Sequence, residues 1–135
     1  MYLLDTNVVS ELRHVRPHGA VLAWLRGADD ADLHLSAVTI GELQAGVEIT
    51  RAQDIAKAAE IEAWVDQLAA SYNVLPMDAR ASRCWARLMR GRSDRLIEDA
   101  MIAATAIVHN LIVVTHNLRD FGPFEVRTFD PFIVR

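Results

Sequence analysis

The sequence predicts an α/β domain in which a short, mostly parallel sheet is covered by helices on both faces, three layers in all. Two observations predict it. Short apolar runs that read as strands alternate along the chain with longer segments of helical periodicity. Those runs are apolar throughout instead of alternating with polar residues, the pattern of strands buried on both faces. At 135 residues, 52% of them apolar, the chain suffices for one substantial core and is short for two, so residues 1–135 are read as a single domain.

Leu3-Leu4 reads as a buried strand ending at Asp5-Thr6-Asn7, polar residues that start a helix over Val8 to Leu12. Arg16-Pro17-His18-Gly19 breaks that helix, and Val21, Leu22, Trp24 and Leu25 form a second, ended by Gly27. Asp29 to Asp32 is expected to be a loop. Leu33-His34-Leu35 is the second strand, followed by Ser36 and a helix with Ile40, Leu43 and Val47 on one face. A further helix is expected from about Ala52 to Ala70, with Ile55, Ala59, Ile61, Trp64, Val65 and Leu68 apolar. Tyr72 to Leu75 is a brief strand stopped by Pro76, after which Asp78 caps a helix running to Gly91; Asp94 is a second cap candidate. Leu96 to His109 is an alanine-rich helix. Leu111 to Thr115, β-branched and apolar, is the clearest strand and is expected to be central; Val126 to Phe129 is the last.

No apolar run approaches the roughly 20 residues that span a bilayer, which argues against a membrane protein. Met1 is followed by Tyr2, Leu3 and Leu4 without a basic leader, so no secretory signal is expected, and the lone Cys84 offers no internal disulfide; a cytoplasmic protein is the expectation. The net charge of −4 would ordinarily disfavour a nucleic-acid partner. Its distribution points the other way, because Arg80, Arg83, Arg87, Arg90, Arg92 and Arg95 crowd one segment opposed only by Asp78 and Asp94. Lys57 is the sole lysine among 14 basic residues, and a guanidinium suits bidentate phosphate contact better than an ammonium.

In an open parallel sheet the ligand site lies beyond the carboxyl ends of the strands, so the polar residues that follow strands are the ones to weigh. Asp5 leaves the first strand, and Thr115-His116-Asn117 leaves the strongest one. Glu42 sits early in the helix after the second strand, Asp99 in the first turns of the alanine-rich helix, and Asp120 one turn beyond Thr115-His116-Asn117. Were these acids to converge, their repulsion would demand a cation. Oxygen-only donors, with no Cys/His set at zinc spacing, favour Mg²⁺ or Mn²⁺. Such an ion activates water for phosphodiester hydrolysis, commonly as one of two ions about 4 Å apart.

Leu4-Asp5-Thr6-Asn7, then Gly41-Glu42-Leu43, then Asp99-Ala-Met-Ile-Ala-Ala-Thr-Ala106, then Thr115-His-Asn-Leu-Arg-Asp-Phe121 follow one another in the order and spacing of PIN domains. The chain resembles that family along essentially its whole length, and most of all the VapC-type toxins of bacterial toxin–antitoxin pairs, including their FitB-like group. The resemblance implies a PIN fold and a small Mg²⁺- or Mn²⁺-dependent endoribonuclease. Asp5, Glu42 and Asp99 would be its metal-binding acids, with Thr6, Asn7, Thr115 and Asn117 in support. It further implies a cognate antitoxin that occludes the site with a basic side chain, and a homodimer. Two departures leave the fourth carboxylate open: His116 stands where relatives often carry Arg, and Asn117 where some carry an acid. Asp120 is expected to be the fourth acid.

Plainer roles compete at each position. Asp5, Thr6 and Asn7 also suit the cap of a first helix. Thr39 and Glu42 fit a capping box, although Ser36 is the earlier cap candidate and would place Glu42 inside the helix. Asp99, with Glu98, suits a helix dipole, and Asp120 a turn. Arg80, Arg83, Arg87 and Arg90 form a helical stripe that could follow an RNA backbone, face an acidic protein, or merely be solvated. His116 is the one histidine near the acids and a candidate phosphate contact. Trp24, Trp64, Trp85 and Cys84 have core spacing. Other activities remain in view: a housekeeping RNA-processing PIN nuclease, a PIN fold that binds without catalysis, or a phosphatase similar to haloacid dehalogenases with Asp5 as nucleophile. The last wants a second acid at the position of Asn7.

Overall fold

The computed structural model describes residues 1–133. Five parallel strands, β1 (Tyr2–Leu4), β2 (Leu33–Ser36), β3 (Asn73–Leu75), β4 (Ile112–Val114) and β5 (Thr128–Phe129), form one sheet in the order β3-β2-β1-β4-β5. Both neighbours of β1 run in register with it: Leu4 faces Leu35 on one side and Val114 on the other. The central strand is therefore β1. β4, expected in that place, is interior but second from the edge, with β5 beyond it.

The period of two in a strand sends successive side chains to opposite layers. Leu3 and Val113 point to a core built with Leu96, Ala100, Ile102, Ala103, Ala106, Phe121 and Phe124. Leu4, Leu33, Leu35 and Val114 point the other way, onto Val8, Val9, Val21, Leu25 and Leu68. The first layer holds α5 (Ala79–Leu88), α6 (Ile97–His109) and α7 (Leu118–Phe121); the second holds α1 (Thr6–Ser10), α2 (Gly19–Gly27) and part of α4 (Ile55–Ser71). A satellite cluster of Val47, Ala58 and Val65 joins α3 (Ala37–Arg51) to α4. The three layers expected from the strand pattern are present. Among the described residues no helix is long and apolar enough to cross a membrane.

Local chemistry sets the boundaries that matter for the site. Ser36 ends β2 in extended conformation and its hydroxyl accepts from the Val38 amide at 3.0 Å, so α3 begins there and not at Thr39. The capping-box role for Glu42 is thereby excluded. Asp78 caps α5 by accepting from the Ala81 amide at 2.9 Å. Asp94 does not cap anything: Ser93 does, accepting from Arg95, and Asp94 opens the 3-10 turn Asp94–Leu96 that leads into α6. Asp29 to Asp32, expected as a loop, contains the 3-10 turn Asp30–Asp32. At the end of α6, Asn110 takes the left-handed conformation at φ 55°, and the Leu111 amide donates to the Ala106 carbonyl at 2.8 Å. That bond keeps Leu111 out of β4, which is why the strand is shorter than its apolar run. β5 is shortened from the other side, by the left-handed Glu125 at φ 53° that closes the turn Gly122–Phe124.

Candidate metal centre

The chain lays β2 and β3 to one side of β1 and β4 and β5 to the other, so the direction of strand addition reverses between β1 and β4. At such a switch point the connections diverge above and below the sheet and leave a crevice at the carboxyl ends of the two strands. Asp5 and Thr115 are the residues that follow β1 and β4 there. The Asp5 amide donates to the Val114 carbonyl at 2.9 Å and the Thr115 amide to the Phe129 carbonyl at 2.9 Å, so both residues hang from the sheet itself.

Asp5 is buried, with 5% of its surface exposed, and each oxygen is held. Oδ1 accepts from the Thr6 amide at 2.8 Å; Oδ2 accepts from the Thr115 hydroxyl at 2.8 Å and from Asn7 Nδ2 at 3.0 Å. Asp5 is thus also a helix cap, as the plainer role had it, but only one oxygen does that work. Thr115 in turn accepts from the Asn117 amide at 2.9 Å, and Asn7 Oδ1 from the His116 amide at 3.2 Å, which ties the two strand ends into one network. Thr6 reaches across to α3: its hydroxyl donates to Glu42 Oε1 at 3.1 Å and lies 3.2 Å from the hydroxyl of the buried Thr39. Glu42, Asp5 and the loop after β4 are therefore connected through named side chains.

The electrostatics here are those of acids withdrawn from water and set near one another. Burial pushes the Asp5 carboxyl above its usual range against the pull of its hydrogen bonds from Thr115, Thr6 and Asn7. Glu42 rises to about 7, first through burial, then through the charge and hydrogen bond of Glu98 and the charge of Asp5, while the Thr6 hydroxyl opposes the rise. Asp99 rises to about 6, again chiefly by burial, with the charges of Asp5, Asp120 and Glu98 adding to it and Arg95 opposing. Asp120 moves the other way: Asn117 donates to its Oδ2 at 2.8 Å and Arg95 to its Oδ1 at 3.0 Å, and both hold its carboxyl below the usual range.

Asp5, Glu42, Asp99 and Asp120 thus form one chain of interacting charges, but not as equals. Asp120, like Asp5, has both oxygens engaged, but one of them is paired with a full positive charge, the Arg95 guanidinium that also tempers Asp99. Glu98, which sequence reasoning assigned only to the helix dipole, acts on both Glu42 and Asp99. Its one signal in the sequence was its adjacency to Asp99. Thr39 and Arg95 were missed as well, because nothing local ties a buried threonine in one helix to Thr6, or an arginine in the turn before α6 to Asp120. His116 pairs with a further acid that sequence reasoning did not single out: its Nδ1 lies 3.2 Å from Oδ2 of the buried Asp130, and its ring packs 4.5 Å from Phe132. Arg80, Arg83 and Arg87 are exposed on α5, and Arg90 just past its end.

Among the described residues no three His, Cys, Asp or Glu side chains come together as a ligand set; Asp5, Glu42 and Asp99 are linked instead through the Thr6 side chain and through their mutual charge. A divalent cation would offset the repulsion among these carboxylates. The donors are carboxylates and hydroxyls with no thiol or imidazole among them, and three of the acids are held above their usual range chiefly by burial, two of them also by neighbouring carboxylates. In donor type, though not as a preformed ligand set, the residues fit a hard, oxygen-seeking divalent ion.

The family model described as "PIN domain" matches residues 2–122. The VapC ribonuclease Y4jK of Sinorhizobium fredii is 39% identical, over 96% of this chain and 94% of its own length. Toxin FitB of Neisseria gonorrhoeae is 32% identical, over 98% of this chain and 99% of its own. The crystal structure of FitAcB from Neisseria gonorrhoeae superposes with a TM-score of 0.87 at 31% identity, covering 99% of this chain and 100% of that one.

Proposed function

The chain belongs to the PIN-domain family, and from that membership we propose that it is a divalent-metal-dependent endoribonuclease, the toxin of a toxin–antitoxin pair acting in the cytoplasm. Its similarity to a VapC ribonuclease and to toxin FitB over nearly the whole of each chain supports this reading. The observation that carries it is the crevice between β1 and β4, where Asp5 is fixed by Thr115 and Asn7, and where Glu42 and Asp99 are raised to about 7 and about 6.

Asp5, Glu42 and Asp99 would hold the ion, Mg²⁺ or Mn²⁺. Bound there, it would lower the pKa of water and offset the charge that builds on the scissile phosphate. The chain's own contribution is orientation. Thr115, Asn7 and the Thr6 amide fix both oxygens of Asp5, and the Thr6 hydroxyl aims Glu42 across the crevice. Asp120, steadied by Arg95 and Asn117, adds a fourth negative charge beside Asp99 and serves as the fourth acid from the rim. Hydrolysis breaks one P–O bond, forms another to the water oxygen and frees a proton, which passes to solvent.

An antitoxin that placed a basic side chain among these acids would satisfy the same charge deficit as the cation, and so would compete with it. The assembly proposed on the family pattern is a homodimer. Purified free of any partner, the protein should cleave RNA with added Mn²⁺, stop on addition of chelator, and be inactive as Asp99→Asn. Cleavage indifferent to both treatments would discard the mechanism.

A further inference from the structure

The basic stripe on α5 has no assigned task, and the structure narrows what it can do. Arg80, Arg83 and Arg87 line an open groove of about 440 Å³ together with Ala79. They follow one another at helical spacing, about 4.5 and then 6 Å apart along the axis. Their opposite face is fixed: Ala81 and Cys84 are buried, and the Trp85 indole donates to the Ile97 carbonyl at 3.2 Å. That bond anchors the stripe to the end of α6 that carries Glu98 and Asp99. Beyond α5 the positive charge continues toward the acids through Arg92, which donates to the Pro123 carbonyl, and Arg95, which pairs with Asp120.

Arg80, Arg83, Arg87 and Arg90 have no carboxylate partner among the described residues, although the chain as a whole is acidic. We infer that this stripe is a track for the phosphate backbone of a single RNA strand, holding the substrate beside a crevice whose own charge repels it. The ligand's identity rests on the ribonuclease reading above. An acidic protein is the competing occupant. Against it, none of the large apolar side chains exposed among the described residues lies on α5, so the surface lacks the apolar centre of a protein interface. Phosphate binding needs only the charges.

The test measures binding without turnover, on the full-length Asp99→Asn chain with a labelled single-stranded oligoribonucleotide and no divalent ion, over a range of salt. Adding Arg83→Gln and Arg87→Gln should weaken binding about tenfold at moderate salt and flatten the slope of log K against log salt by about 1.4, two contacts at roughly 0.7 each. Arg16→Gln with Arg26→Gln, exposed positions before and on α2, should leave the slope in place. An unchanged slope at Arg83 and Arg87, an equal loss in the Arg16 and Arg26 control, or tighter binding of polyglutamate than of RNA to the stripe would each overturn the track. A chain that cleaves RNA with Mn²⁺ yet ignores Arg83 and Arg87 sinks the track alone. One that binds through them and never cleaves sinks the ribonuclease reading.

Discussion

Asp5 shows how far one residue can be read before its neighbours are known. Its position after an apolar run marks it as a strand-end acid, and that is where it lies, between a helix amide and the Thr115 hydroxyl. Its raised pKa, and those of Glu42 and Asp99, were not legible, because they come from burial and from charges contributed by other elements. The shifts have a consequence for stability. A carboxyl whose pKa is higher folded than unfolded keeps a proton that the unfolded chain has lost, so stability is fullest below the unfolded value and falls as pH rises through the folded one. For Glu42 that window runs from 4.5 to about 7, and for Asp99 from 3.8 to about 6. Asp120, shifted downward, acts in the opposite sense but only below its usual range. With chelator present, the melting temperature should therefore fall between pH 5 and pH 7.5, and Asp99→Asn should flatten that fall. A melting temperature that rises over the interval would show that the acids are not held above their usual range.

At the scale of elements, the sequence was most informative where structure is local. Caps at Ser36 and Asp78, the break before Gly19 and the alanine-rich α6 all rest on interactions spanning a few residues. α7 was missed because its four residues have no side-chain cap, and it is held instead by Phe121, fully buried in the core shared with α6. The short reach of β4 and β5 likewise depends on the Asn110 and Glu125 turns rather than on apolar content. Ser36 is the element-level hinge of the site, since the start it gives α3 sets which face Glu42 occupies. Ser36→Ala should lower stability by about 0.5–2 kcal/mol, as the loss of a helix cap does. Urea denaturation would check it; an unchanged midpoint would mean that α3 is positioned by its packing on α4 alone.

For the whole molecule, an α/β chain with covered faces could be inferred from pattern, but strand order could not, because parallel pairing is set by long-range packing rather than by any local signal. The order matters here more than the composition. Placing β4 beside β1 brings Thr115 to Asp5 across 110 positions of sequence, and the pairing of β1 with β2 sets α3, with Glu42, over Thr6. The basic stripe had no such legibility of purpose, since its meaning depends on which helix α5 packs against.

The claim on which the rest depends is that these separated acids act together on one divalent ion. Titration of the partner-free chain with Mn²⁺, followed by the paramagnetic resonance of the free ion, tests it most directly. Saturable uptake is predicted, weakened by about tenfold or more in each of Asp5→Asn, Glu42→Gln and Asp99→Asn, by analogy with the 10- to 100-fold losses seen even when groups behind the ligands are removed. A chain that takes up no Mn²⁺, or takes it up equally well in all three variants, would contradict the account.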